Sequence, residues 1–370
     1  MKLLVSFALI LSSIQLYALD RPAAVVVSGT DSLLPVRNSY HRNEELAPDL
    51  LDAEADYSKT GDNRKALTRL LKIVRVKKIT RESRVGYRLF NDLAAVSARL
   101  KLYPLAMKCY SKAMEYKRAT GMPWYTNSII FTPGLPAADT EATSPLLDST
   151  AYARLVKEDT SAQNPARASY TGKSLPIQGP EIWTSFDDGK PASSYAMIVH
   201  VKQPIPGRRR SFTHINNVGH MFITLIKYNN DNTVVARSFG FYPLKTSIFS
   251  GTPLHAGSAS VFKDDAGHDW DEVVGKFISY KKFQKIIEIV KRYDHLAYNL
   301  NRNNCTDFGL ALASVGGISI TETRGAWPLG KGNNPANAGQ SMLEGKFHNI
   351  DGDYPEPLFV SNNAPAPTAH

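Results

Sequence analysis

The chain has 370 residues, 43% of them hydrophobic and 21% charged, proportions that exclude wholesale disorder and fibrous repeats. The 44 Lys and Arg against 34 Asp and Glu leave a formal net charge of +10, so the surface attracts anionic partners without choosing among nucleic acid, anionic lipid and acidic cell-wall polymer. Two cysteines, Cys109 and Cys305, are too few for a disulfide scaffold and offer no structural zinc cluster.

The first residues address the compartment. Met1 and Lys2 are a short positive start, Leu3 to Ala18 is apolar with small residues, and the chain turns polar at Asp20 and Arg21. This predicts a secretory signal peptide over residues 1–18, cleaved after Ala18. The apolar run is short for a spanning helix of about 20 residues, so the mature protein is expected to be soluble and exported, periplasmic or secreted.

Residues 45–118 read as helical. Phe90, Leu93 and Ala94, followed by Ala106, Tyr110 and Ala113, resemble the tetratricopeptide pattern, in which small residues let two antiparallel helices approach closely. A partial upstream copy runs through Tyr57, Gly61-Asp62, Ala66, Leu70 and Ile73. Cys109 falls inside the second helix, as a small core residue. Such hairpins are expected to bind a protein partner or to brace a neighbouring domain. Residues 119–180 are punctuated by Pro133-Gly134, Pro136, Pro145, Pro165, Pro176 and Gly179-Pro180, the composition of a linker or wrapping loop. Residues 350–370, rich in Pro and Asn, read as a flexible tail.

Residues 181–349 read as an α+β domain. Tyr195 to Val201 is a strand, and Val218 to Tyr228 and Thr233 to Tyr242 form a hairpin around Asn229-Asn230-Asp231-Asn232. A turn centred between residues 230 and 231 sets His220 opposite Phe241; a one-residue slip brings Gly240 or Tyr242 there instead. Phe283, Ile286, Ile287, Val290 and Tyr293 mark a helix within Ser279 to Ala297. Cys305 to Val315 is a second, shorter helix ended by Gly316-Gly317.

Two residues carry chemistry. His220 starts a strand, with Gly219 leaving room beside it, and Cys305 opens a helix capped by Asn304, with Asp307 completing a variant capping box. A thiol in the first turn of a helix feels the positive end of its dipole, and a nearby imidazole would make it an activated nucleophile. The Cys305 amide, with Asn303 or Asn304, could donate to an oxyanion.

The strand Gly-His followed far downstream by Asn-Cys-X-X-Phe, closing on Phe308, resembles the circularly permuted branch of papain-like cysteine hydrolases. That branch includes the lecithin:retinol acyltransferase-like enzymes and permuted relatives of NlpC-type cell-wall amidases. His220 precedes Cys305 by 85 residues, the order found after permutation. The resemblance implies a permuted papain-like fold, an antiparallel sheet on a cysteine-bearing helix, with Cys305 as nucleophile and His220 as general base. Acyltransferase-like members carry a second histidine on the following strand, where this chain has none. Arg237, Ser238 and Tyr242 are the polar residues available there, and the third role stays open.

The remaining clusters take plainer readings. His200, His214, His255, His268 and His295 show no metal-ligand spacing, and no metal or cofactor is expected. Asp264, Asp265, His268, Asp269 and Asp271 read as a solvated acidic turn, without a calcium-loop pattern. Arg208-Arg209-Arg210 is an anion clamp at a cleft rim or, more simply, a solvated loop. Trp327 to Gly332 is a loop able to cover a cleft or plug the core. The expectation is an exported cysteine hydrolase acting on anionic cell-wall peptide. A lipid acyl hydrolase or acyltransferase of the same fold is the near alternative, and a catalytically inactive binding protein the distant one; nucleic-acid binding comes last.

Overall fold

Near-continuous apolar runs in two neighbouring strands, Ala196–Val201 and Met221–Ile226, make a sheet buried on both faces, and that sheet organises everything else. In the computed structural model, residues 84–121, 174–211, 218–327, 329–352 and 357–362 are described. Two helices come first, α1 (Arg84–Arg99) and α2 (Tyr103–Ala119), then β1 (Leu175–Ile177), α3 (Gly179–Thr184), β2 (Ala192–Lys202), β3 (His220–Asn229) and β4 (Val234–Pro243). Next come β5 (Gly257–Ser258), β6 (Ser260–Asp264), β7 (Glu272–Ile278), α4 (Tyr280–Tyr293), β8 (Tyr298–Asn299) and α5 (Cys305–Gly316). The chain continues through β9 (Ile318–Ile320), β10 (Arg324–Trp327), β11 (Gly330–Asn333), α6 (Pro335–Leu343), β12 (Phe347–Asn349) and β13 (Phe359–Asn362). Among the described residues this is a mixed helix and sheet architecture with six helices, and no helix is long and apolar enough to cross a membrane.

Seven strands form the main sheet in the order β1-β6-β4-β3-β2-β7-β13, with every neighbouring pair antiparallel. All ten residues of β3 are buried. Met221, Ile223 and Leu225 enter a core shared with Phe283, Ile286 and Val290 of α4 and Phe308 and Leu312 of α5. Phe222, Ile226 and Tyr228 point the other way, into a core shared with Leu89, Leu93, Leu105 and Met107 of the helical pair. Each such side chain withdrawn from water contributes about 1.5–3 kcal/mol, so both faces are held by the same effect. The result is three layers: a helical hairpin, the sheet, and α4 with α5.

The hairpin read from Phe90, Leu93, Ala94, Ala106, Tyr110 and Ala113 is present, and all six side chains are buried. Its sheet-facing side shares one core with the β strands, and the Tyr228 hydroxyl donates to the Pro104 carbonyl at 2.8 Å. Cys109 is fully buried in that core. The upstream partial copy and the 1–18 segment lie outside the described residues. At the end of the stretch read as a linker, Leu175–Ile177 pairs with β6 at the sheet edge. In the stretch read as a flexible tail, Phe359–Asn362 pairs with β7 at the opposite edge, and Phe359 is buried against Tyr110. A hydrophobic anchor among Pro and Asn residues was the overlooked signal in that tail.

The β3–β4 register differs from the symmetric turn. Pairing runs Tyr228↔Val234 to Ile223↔Phe239, which centres the turn on Asp231. Asn232 takes a left-handed φ of 67° and Asn229 N–H donates to Thr233 O at 2.9 Å, adding the residue that shifts the register by one. The slip turns Gly240 and Tyr242, rather than Phe239 and Phe241, toward His220.

Candidate active site

Local sequence places the two reactive side chains first. Asn304 Oδ1 accepts the backbone N–H groups of Thr306 and Asp307, at 2.7 and 3.1 Å, and Asp307 Oδ2 accepts that of Asn304 at 3.0 Å. This reciprocal cap fixes the first turn of α5, so the Cys305 thiol sits at the positive end of the helix. Across from it, Gly219 leads into β3 with φ +72°; a Cβ there would strike Lys202 O, Pro204 and Pro335. A glycine is therefore required to deliver His220 to the strand start.

The imidazole lies between a carboxylate and the thiol. His220 Nε2 is 3.0 Å from Asp265 Oδ2, and the Cys305 thiol lies near enough for ring and sulfur to shift each other's titration. Cys305 and His220 are 6% and 5% exposed, and Asp265 is fully buried. Burial alone would lower the imidazole's pKa, but the Asp265 charge and hydrogen bond, with the thiol, outweigh it and push it up to about 9. Burial disfavours the thiolate too; the His220 hydrogen bond and charge and the Met221 backbone N–H override it and lower Cys305 below its ordinary value of 9.0. Asp265 is also held low, because its burial is outweighed by the imidazolium, with Ser174 donating to the carboxylate as well. Both shifts run the same way, favouring an imidazolium backed by a carboxylate and easing ionisation of the thiol beside it.

The group completing the site, Asp265, comes from the stretch read as a solvated acidic turn. It directly follows β6, its N–H donates to Ser238 O at 2.9 Å, and its Oδ1 accepts the Tyr242 hydroxyl at 2.7 Å and the Ser174 hydroxyl. The signal available in the sequence was the β-branched and aromatic pair Val261-Phe262 within Ser260–Asp264, a short strand that delivers the next residue to the sheet end. Of the three candidates for the third role, Tyr242 reaches the site as a donor to Asp265, its ring centroid 4.2 Å from that of His220. Ser238 instead meets Thr224 at 2.7 Å, which in turn meets the buried His200 at 2.8 Å. Arg237 is exposed. The slipped register explains this outcome, since Gly240 lies beneath the imidazole and a Cβ would occupy the space of Nε2 and Oδ2.

The asparagine side chains make bonds elsewhere. Both amide hydrogens of Asn304 are spent, on Leu300 O and Asn333 O, each at 2.8 Å, and Asn303 donates to Ala297 O at 2.6 Å. The neighbour of the Cys305 backbone N–H is the buried Tyr298 hydroxyl, which also contacts the thiol. Burial and the nearby sulfur raise that phenol well above its ordinary value and keep it protonated, so its O–H is available to donate to a developing anion while its oxygen faces the Cys305 N–H. Tyr298 and Trp327 line a cavity of about 20 Å³ over the sulfur, together with Val218, Leu300 and Pro335. Trp327 thus reaches the Cys305 cavity from the β10–β11 hairpin.

The helical hairpin also reaches the site. Lys101, at φ 61° between α1 and α2, donates to Gly267 O and pairs with Asp269 at 2.9 Å. Its ammonium therefore grips the turn that follows Asp265. His268 in the same turn stands 5.2 Å from the His220 ring. Burial and the His220 charge lower its pKa. No group of metal-ligating side chains occurs among the described residues. No family profile, curated protein sequence or solved structure matches the chain.

Proposed function

We propose that this protein is an exported cysteine hydrolase that cleaves an amide bond, with cell-wall peptide as its substrate. The carrying observation is that His220, held at 3.0 Å by the buried Asp265, also lies near enough to Cys305 to lower the thiol's pKa. The thiolate attacks the carbonyl carbon, and negative charge collects on its oxygen beside the Cys305 N–H and the Tyr298 hydroxyl. The imidazolium gives its proton to the departing amine, leaving an acyl-thioester. Neutral His220 then takes a proton from water, which attacks the thioester and regenerates the thiolate. Asp265 holds the Nε2–H throughout and so keeps Nδ1 aimed at the sulfur.

A permuted papain-like arrangement is our reading of the fold. Its support is the order His220 before Cys305, the antiparallel sheet, and a cysteine at the N-terminus of a helix packed on that sheet. Export rests on the apolar segment before Asp20. A lipid acyl hydrolase or acyltransferase draws on one observation, the exposed Ile248, Phe249 and Leu254 on the segment after β4, which would suit an acyl chain.

The test is digestion of purified cell wall by the wild type and by Cys305→Ala. Soluble peptide products from the wild type are expected to fall by about 10³-fold or more in the variant, with the circular dichroism spectrum unchanged. Equal product release from both would overturn the assignment. Fatty acid released from lipid without wall products would favour the acyl alternative, and a Cys305 inert to alkylation at neutral pH would leave an inactive binding protein.

A further inference from the structure

Beside the small cavity over the sulfur lies an open cleft of about 570 Å³, lined by Arg209, Glu322, Thr323, Arg324, Asn333 and Asn337. Asn333 lines both spaces, so the cleft adjoins the cavity that Cys305 lines. Most of its charge is already balanced. Arg209 Nη2 is 2.7 Å from Glu344 and 3.5 Å from Glu322, and Lys346 bridges the same two carboxylates at 2.5 and 2.8 Å. Two cations and two anions neutralise one another at this rim, which accounts for the one member of Arg208-Arg209-Arg210 that reaches it. Arg324 is different: it is exposed on β10, lines the cleft, and enters no ion pair among the described residues.

The wall around Arg324 is wired to the cysteine helix. Thr323 Oγ1 donates to Asn333 Oδ1 at 2.7 Å, and Asn333 Nδ2 donates to Asp307 Oδ1 at 2.7 Å. Asp307 is the residue whose other oxygen caps Asn304, next to Cys305. Asn337 Nδ2 donates to the Arg324 carbonyl and so ties the strand to α6. An anion seated here would be held at a fixed place relative to the nucleophile, and that is what a specificity subsite requires.

We propose that this cleft is a subsite for a substrate carboxylate, gripped by the Arg324 guanidinium, so that the enzyme acts on peptides with a free carboxylate near the scissile amide. The inference rests on the reading of Cys305 as nucleophile. A single uncompensated guanidinium matches one planar, singly charged carboxylate in a two-pronged contact. A phosphate dianion would need a second unbalanced cation, and both Arg209 and Lys346 are committed to Glu322 and Glu344.

The probes are chloroacetyl-glycine, chloroacetyl-diglycine and chloroacetyl-triglycine, each as the free acid and as the carboxamide. The Cys305 thiolate displaces chloride, forming a C–S bond, and mass spectrometry of the intact protein and its peptides gives the rate at Cys305. At one or more lengths the acid is expected to react about tenfold faster than its carboxamide, the gain of one charged hydrogen-bonded contact. Arg324→Met should abolish that preference by lowering the acid's rate to that of its carboxamide, and Arg324→Lys should restore part of it. Equal rates for acid and carboxamide at every length, or a preference that survives Arg324→Met, would overturn the subsite and leave the nucleophile standing. Failure of every probe to label Cys305 would overturn both.

Discussion

Asp265 Oδ2 accepts a hydrogen bond from His220 Nε2 at 3.0 Å from a position with no solvent exposure. A buried carboxylate is costly unless paired, and three donors, His220, Tyr242 and Ser174, converge on this one. The arrangement does to the imidazole what burial alone would not: it keeps the ring protonated beside the thiol.

Asp265→Asn preserves shape and removes the charge. Burial then dominates the imidazole and its pKa should fall from about 9, weakening the thiolate. Turnover is expected to drop by about 10²–10⁴-fold, with slower alkylation of Cys305 at pH 7. Stability gives a second readout. The wild-type imidazole's pKa is raised above its ordinary 6.5, so its contribution is fully present below pH 6.5 and is lost as pH rises through about 9. The melting-temperature gap between wild type and variant should therefore narrow over that window; a gap constant from pH 6 to 10 contradicts the pairing.

Gly240→Ala tests the geometry without removing a reactive group. The new methyl would occupy the space of His220 Nε2 and Asp265 Oδ2, forcing them apart at a cost of about 1–3 kcal/mol. Activity should fall by about 10²-fold, the order expected for a misplacement near 1 Å. A fully active Gly240→Ala variant would show that the contact has no role in catalysis.

Tyr298→Phe removes the hydroxyl beside the Cys305 N–H and thiol. Loss of one donor to a developing oxyanion should lower kcat by about 10²-fold, with KM little changed. Because the ring remains in the wall, the alkylation rate of Cys305 should hold near the wild-type value. A change confined to KM would instead make Tyr298 a binding residue.

Lys101→Met probes the helical hairpin. The Lys101–Asp269 pair is largely solvent-exposed on the Asp269 side, so stability should change by no more than about 1 kcal/mol. The turn after Asp265 loses its grip, however, and kcat is expected to fall by about 3- to 10-fold, with the pH profile of Cys305 alkylation moving down and Lys101→Arg restoring it. An unaltered profile would limit the hairpin to covering the sheet.

The elements that reveal themselves locally were legible. The apolar run from Met221 to Leu225, the stripe from Phe283 to Tyr293 and the Asn304–Asp307 cap are all set by neighbours within a few residues. The two reactive residue types at a strand start and a helix start were legible for the same reason. Tyr298 and Asp265 were not, because nothing within a few positions of either marks it: the phenol precedes a polar turn and the carboxylate sits among other acids.

By itself, then, the amino-acid order determined which side chains could be thiolate, base and cap, and which strands and helices would carry them. Only the tertiary structure decided the partners. Asp265 reaches His220 from 45 residues away, through a one-residue register shift set by the Asp231 turn and a strand pairing between β4 and β6. Register is a collective property of a whole ladder, and burial, which turns a surface aspartate into a charge clamp, exists only once both faces of the sheet are covered.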